Sequence, residues 1–216
     1  MNSRTIEERL EDNLLLLYII YKSDKKGRIE DLFKLQKITF LIENNLIRRK
    51  IKGLNYNFFR WERGPFSKDL SIDVNFLEDN NLIVLNDGYK VTDRGKEILK
   101  DAEEIFNKNI PILKFFDTII NRYAKKNVDE IKEIIYRMRV VIPRIKTSER
   151  ISDILKGQLI LFKMSKQKAK EVFQINNQWL ETLDLLFDMN AMKAFERAES
   201  NFKEGKIFNV SSKFKL

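Results

Sequence analysis

Three observations predict a mainly α-helical chain with a few small β elements. Apolar residues recur at three- and four-residue spacing along most of the 216 residues. Glycine and proline are sparse, 7 and 3, so few turns interrupt those runs. One stretch, 56–91, breaks the pattern. It is aromatic, carries Gly64-Pro65 and Asp87-Gly88, and reads as strand, tight turn, helix and hairpin. With the helices around it, that is the order of a winged helix-turn-helix, a fold that serves recognition more than catalysis. The predicted architecture is a winged-helix domain over 1–108, with a short β-hairpin wing, followed by an all-helical C-terminal extension over 109–216.

The elements follow in order. The first helix runs from Ile6 to Lys22, with Leu10, Leu14, Leu17 and Tyr21 on one face and Leu15, Leu16, Ile19 and Ile20 widening the stripe. Lys25-Lys26-Gly27-Arg28 is a basic turn. The second helix spans Glu30 to Leu46, with Leu32, Leu35, Ile38 and Ile42 at helical spacing, and 48–53 is a basic loop. Tyr56 to Trp61 is aromatic and short, as a strand is, and Gly64-Pro65 breaks it. Ser67 is placed to cap a third helix, Lys68 to Asn80, which buries Leu70, Val74 and Leu77. Leu82–Leu85 and Tyr89–Val91 form a hairpin around Asn86-Asp87-Gly88, because Asp-Gly tolerates positive φ. Thr92 caps the next helix, Asp93 to Asn107.

In the second half Pro111 suits a helix start, and Asn127 with Glu130 forms a capping box. Pro143 ends that helix, and Thr147 or Ser148 starts another. Between Lys168 and Phe187, Val172, Ile175, Trp179, Leu183 and Leu186 make a helical seam that wants a second helix against it. A last helix, Asn190 to Lys203, carries Met192, Phe195, Ala198 and Phe202 and stops at Gly205.

Leu35-Gln36-Lys37 on a helix, a strand ending in Trp61, Gly64-Pro65-Phe66-Ser67 before a helix, Leu82-Ile83, and Tyr89-x-Val91-Thr92-x-x-Gly95 together resemble the Panacea-domain group. That group includes SocA-type antitoxins and YwgA-like proteins, and the Gly-Pro-Phe-Ser form is closer to the latter. The resemblance covers residues 30–100. It implies a winged helix, a regulatory or antitoxin-like role, and no catalytic residues to carry over.

Composition narrows the chemistry. Cysteine and histidine are both absent, which removes disulfides, thiolate metal sites and the commonest general base. Ser67 and Ser165 have no histidine to activate them, and no glycine-rich phosphate loop is present. Asp69 and Asp73, at i and i+4, are read as a solvated acidic face rather than a cation site. No catalytic site, cofactor or metal is expected. Trp61 and Trp179 are read as core residues. The longest apolar run, Leu14 to Tyr21, is too short to span a bilayer and follows an acidic segment, so a cytoplasmic protein with no membrane attachment is expected.

Two partners compete. An amphipathic last helix followed by Gly205-Lys206 and a tail with spaced apolar residues can add apolar area on a protein partner. Its anchors would be Met192, Phe195, Phe202, Ile207, Phe208 and Phe214. Against this, 137–170 holds ten basic and two acidic residues, a net +8 within a chain of net +9. Arg137, Arg139, Arg144 and Lys146 there, with Arg48, Arg49, Lys50 and Arg63, would serve double-stranded DNA. Helix Lys68–Asn80 argues the other way, since its one basic and four acidic residues would meet phosphates with the wrong sign. The leading expectation is a non-enzymatic, antitoxin-like regulator that binds a protein, with a DNA-binding regulator as the alternative. A homodimer through the first helix or the Trp179 seam fits either.

Overall fold

The computed structural model describes residues 4–143 and 146–204. The chain is mainly α-helical, with small sheets that are antiparallel apart from one two-residue parallel pair. Helix α1 (Ile6–Asp24) is the axis of the core. Thr5 and Glu8 close a capping box at its start, Thr5 Oγ1 accepting the Glu8 N–H at 3.1 Å and Glu8 accepting the Thr5 N–H at 3.2 Å. Every residue from Leu10 to Ile20 is buried, not one face alone. Around it pack α3 (Lys68–Asp79), α4 (Asp93–Asp101), α6 (Ile110–Tyr123) and α8 (Asn177–Phe187). Helix α2 (Leu32–Arg48) lies against α6 and α7 (Val128–Arg137).

A helix surrounded on all sides drags its polar residues into the core. Asp12 accepts from the Asn55 N–H at 2.8 Å and from Arg4 Nη1 at 2.8 Å. Arg4 also reaches Asp73 on α3, Nη2 to Oδ1 at 2.9 Å, and the Tyr56 hydroxyl donates to Asp73 at 2.8 Å. Asp69 and Asp73 therefore do not form a solvated face: Asp73 is buried and both carboxylates are drawn to Arg4. Burial pushes Asp12 up to about 7, against the pull of Arg4 and with the push of Asp73. Glu11 and Glu43 are buried, and Glu11 Oε1 and both Glu43 carboxyl oxygens accept no hydrogen bond. Burial, reinforced by Asp12, holds both well above the usual carboxylate range.

Within 56–91 the order of strand, turn, helix and hairpin is as expected, with an added return strand. Strand β2 (Phe58–Trp61) does end at Gly64-Pro65, but Gly64–Phe66 is itself the return strand β3, paired Trp61 to Gly64 and Phe59 to Phe66. Gly64, at φ +106°, makes the turn possible. Ser67 caps α3, and Gln36 on α2 clamps it: the Gln36 amide donates to the Ser67 carbonyl and its oxygen accepts the Ser67 N–H, both at 2.8 Å. β4 (Ile83–Leu85) and β5 (Tyr89–Val91) pair across Asp87 and Gly88, both at positive φ. Thr92 then caps α4 by accepting the Gly95 N–H at 3.1 Å. A Cβ on Gly95 would sit 2.3 Å from the Leu82 carbonyl oxygen, so the Thr-x-x-Gly spacing is a packing requirement. The helix breaks at Ala102, and α5 (Glu103–Lys108) follows.

The expected all-helical extension is corrected. Helix α7 ends at Arg137, well before Pro143, and 139–172 is strands and 3-10 turns. β6 (Arg139–Val141) pairs β7 (Ser148–Arg150), so no helix starts at Thr147 or Ser148. β8 (Leu159–Leu161) joins β2 to make the sheet β3-β2-β8, and β9 (Glu171–Val172) runs parallel to β1 (Ile51–Lys52). Val140-Val141-Ile142 before Pro143 is a β-branched run and Leu159-Ile160-Leu161 after Gly157 a short apolar one, which suits strands rather than the helices expected there. Val172 and Ile175 lie before α8, which starts only after its cap Asn176. The chain thus crosses the expected boundary at 108 repeatedly. Two further corrections concern side chains. Trp61 is 53% exposed at the hairpin rather than core, and Lys52, in the supposed basic loop, is 1% exposed.

Two outcomes follow. Glu11 and Glu43 hold protons in the fold that the unfolded chain releases above about pH 4.5. Their contribution to stability is therefore largest at acidic pH and falls as pH rises above about 4.5, by at most about 1.4 kcal/mol per pH unit per group. Glu43→Met should stabilise the chain by at least about 1 kcal/mol more at pH 8 than at pH 5 in urea titrations; equal effects would remove Glu43 from the account. Gln36→Ala, which strands the buried Ser67 N–H, should cost about 1–2 kcal/mol by the same measurement.

Candidate functional site

Helix α9 (Met189–Lys203) is the element least absorbed by the fold. Asp188 caps it, accepting the Asn190 N–H at 2.8 Å and the Ala191 N–H at 3.0 Å. Its root is pinned. The Met189 N–H donates to Asn80 at 3.0 Å, and Arg94 on α4 donates to the Leu186 carbonyl at 2.6 Å. Behind it, Leu183 and Phe187 anchor α8 in the core. Beyond that root no residue of α9 is buried, and from Lys193 to Ser200 every residue is exposed. Ala191, Phe195, Ala198 and Phe202 follow at spacings of four, three and four and so share one face. Phe195 is 54% and Phe202 77% exposed. Lys193, Glu196, Arg197 and Ser200 lie on the polar side.

The partner-binding residues expected from sequence divide accordingly. Phe195 and Phe202 are free. Met192 is half-buried and turns toward a groove of about 450 Å³ between α9 and α4, together with Arg94, Ile98, Leu186 and Met189. Ile207, Phe208 and Phe214 lie outside the described residues.

The basic residues do not gather into one patch. Arg48 donates to the Arg139 carbonyl at 2.8 Å, and Arg139 to the Ser148 carbonyl at 2.6 Å. Arg49 sits 4.7 Å over the Phe115 ring. Lys50 and Lys146 are exposed, both at positive φ. Arg63 lies apart from these, over the Phe33 ring. Arg144 lies outside the described residues. Within 137–170, four cations meet carboxylates from other parts of the chain or from their own helix: Lys163 with Glu8 at 2.6 Å, Lys166 with Glu7 at 2.7 Å, Lys156 with Glu62 at 2.9 Å, and Arg137 with Glu133 at 3.6 Å. Lys52 completes the inner pair, donating to Glu8 at 3.3 Å and to the Met164 carbonyl at 3.1 Å. Two of the ten cations in this stretch, Lys163 and Lys166, thus neutralise the acidic start of α1. The signal was present in the sequence as two complementary runs, Glu7-Glu8 and Lys163 to Lys166.

No family model, curated protein or solved structure matches this chain. The site must therefore be judged on its own chemistry. Among the described residues no set of three Asp or Glu side chains is grouped to hold a metal ion, and no helix is long and apolar enough to cross a membrane. A cleft of about 490 Å³ lies between α5 and α8, lined by Phe173, Ile175 and Trp179. Its charges are matched internally, Glu7 by Lys166 and Lys108 by Glu104, which also accepts from Trp179 Nε1 at 3.4 Å. The α9 seam differs from it in being an apolar face on an element that packs only at its root.

The split between structural and free cations is measurable. Lys163→Glu, which puts a second carboxylate against Glu8, should destabilise the fold by about 2–4 kcal/mol, whereas Arg150→Glu on the exposed strand end should stay within about 0.5 kcal/mol. Equal effects would mean that the Lys163–Glu8 pair does not hold 163–166 to α1.

Proposed function

We propose that this chain is a non-enzymatic, cytoplasmic regulatory protein, antitoxin-like, that acts by laying α9 on a protein partner. The observation that carries the reading is the bare seam of Ala191, Phe195, Ala198 and Phe202 on a helix capped and pinned only at its root. Two large and two small apolar side chains alternating at 4-3-4 spacing fit a helix or helical groove of the partner. Exposed phenylalanines two turns apart on one face belong to the aromatic class enriched at such interfaces.

Residues 30–100 are read as a winged helix of the Panacea type. In support, the quoted motif segments meet in space: Gln36 grips Ser67 of Gly-Pro-Phe-Ser, and Thr92 Oγ1 donates to the Asn81 carbonyl at 2.7 Å, tying Thr-x-x-Gly to the end of α3. In this reading the domain is a scaffold. α3, the helix that would enter a DNA groove, is acidic, and its Asp73 is consumed by Arg4 and Tyr56.

The test is capture of the full-length chain from its host lysate with nuclease present, comparing wild type with a Phe195→Ser, Phe202→Ser double variant. One stoichiometric protein should be retained by the wild type and lost by the variant, whose circular dichroism should be unchanged because both side chains are exposed. Retention by both would reject the α9 seam as the contact.

A further inference from the structure

A second surface, remote in sequence from α9, joins the start of α2, the β2–β3 turn and α7. Phe33 and Lys37 are one turn apart on α2, and Lys132 and Tyr136 one turn apart on α7. The Arg63 guanidinium lies 4.8 Å from the Phe33 ring centre, and Lys37 Nζ 5.8 Å from the same ring. Arg60 lies 4.8 Å and Lys132 5.8 Å from the Tyr136 ring centre. Cations and aromatic faces thus alternate across two packed helices and a turn.

Charge sets this surface apart from the rest of the molecule. Among the described residues, none of Lys37, Arg60, Arg63 and Lys132 has an ion-pair partner, although Arg60 donates to the Ile151 carbonyl at 3.0 Å. The acids around them are engaged elsewhere. Glu62 holds Lys156, Glu133 holds Arg137, Glu130 caps α7 and binds Lys126, and Asp31 caps α2. Only Asp129 is exposed and unengaged. Burial lowers Lys37 to about 8, with Asp31 and Asp129 pulling the other way and Lys132 and Arg63 adding to the fall. Four cations gathered with no ion pair of their own mark a place where an external anion is favourable. Two rings are partly exposed there: Phe33, beside Arg63, is 45% exposed, and Trp61, at the same turn and near Phe66, is 53% exposed.

We propose that this surface binds single-stranded nucleic acid, with phosphates on Arg63, Arg60 and Lys132 and unpaired bases stacked on Phe33 and Trp61. Interleaved cations and free ring faces suit a strand whose bases are turned out. A duplex hides its bases and would need a groove-sized element, which this turn does not present. The site is independent of the α9 seam and goes beyond the protein-binding reading.

The experiment is fluorescence anisotropy of the full-length chain with a labelled single-stranded RNA of about 12 nucleotides, spanning a typical site for such surfaces, alongside Trp emission. Binding should quench Trp61, and log affinity should fall with log salt by about 0.7 per phosphate contact. Phe33→Ala should weaken binding about five- to tenfold with the salt slope unchanged. Arg63→Gln and Lys132→Gln should each weaken it and lower the slope by about 0.7. The Phe195→Ser, Phe202→Ser variant should bind like wild type, which separates this site from α9. Equal affinity for a duplex of the same length, equal competition by polyglutamate, or Phe33→Ala and Arg63→Gln variants that bind as wild type would each overturn the proposal.

Discussion

Enclosure of α1 on every side is the constraint from which the rest of the structure follows. A helix with one buried stripe can keep its polar residues in water; this one cannot. Glu11, Asp12 and Asn13 are carried inside with the leucines on either side of them. A buried carboxylate is tolerated only when paired or protonated, and both solutions are used here. Arg4, from just before the helix, is shared between Asp12 and Asp73 and so ties α1 to α3. Asn55 and Tyr56 complete the same network from the loop before β2. Glu43 and Glu11 take the protonated route.

The same logic organises the basic residues. At the start of α1, Glu7 and Glu8 draw Lys163 and Lys166 across from the second half, with Lys52 beneath them. These cations hold β8 and its flanking loop against the core and are not available to a ligand. Arg63 and Lys132 have no such duty, and Arg60 meets no carboxylate, only the Ile151 carbonyl. A net charge of +9 is therefore two populations, one spent on internal acids and one presented outward, and only the second says anything about partners.

Local chemistry made much of 51–101 legible in the sequence. Ser67, Thr92 and Asn127 were readable as caps because a side-chain oxygen before an apolar run has one dominant use. Asp87-Gly88 was readable as a hairpin for an equally local reason. Residues 139–172 were not legible. Their strands are two or three residues long and find partners far away, so helical spacing could be imposed on Val172 and Ile175 without local contradiction. Trp61 was misplaced because an aromatic strand residue is usually core; here β3 and β8 flank β2 and leave its end uncovered. Of the partner-binding residues, Phe195 and Phe202 emerged from amphipathic spacing, whereas Met192 could be assigned to the groove on α4 only with α9 in place. Phe33, Lys132 and Tyr136 carry no motif, and only packing of α2 on α7 brings them together.

The pairing of β2 with β8, and of β1 with β9, also bears on how the chain is made. During synthesis β2 emerges with one neighbour, β3, and its other edge must wait for Leu159 and Leu161. The parallel edge of β1 waits longer, for Glu171 and Val172. Until then Phe58 and Phe59 lie beside an open row of backbone groups, the kind of edge that recruits other chains. Any chain that ends before 160 therefore holds the residues of β2 without those of its closing strand, and the Lys163–Glu8 and Lys166–Glu7 pairs that pin the segment after β8 to α1 lie beyond that point.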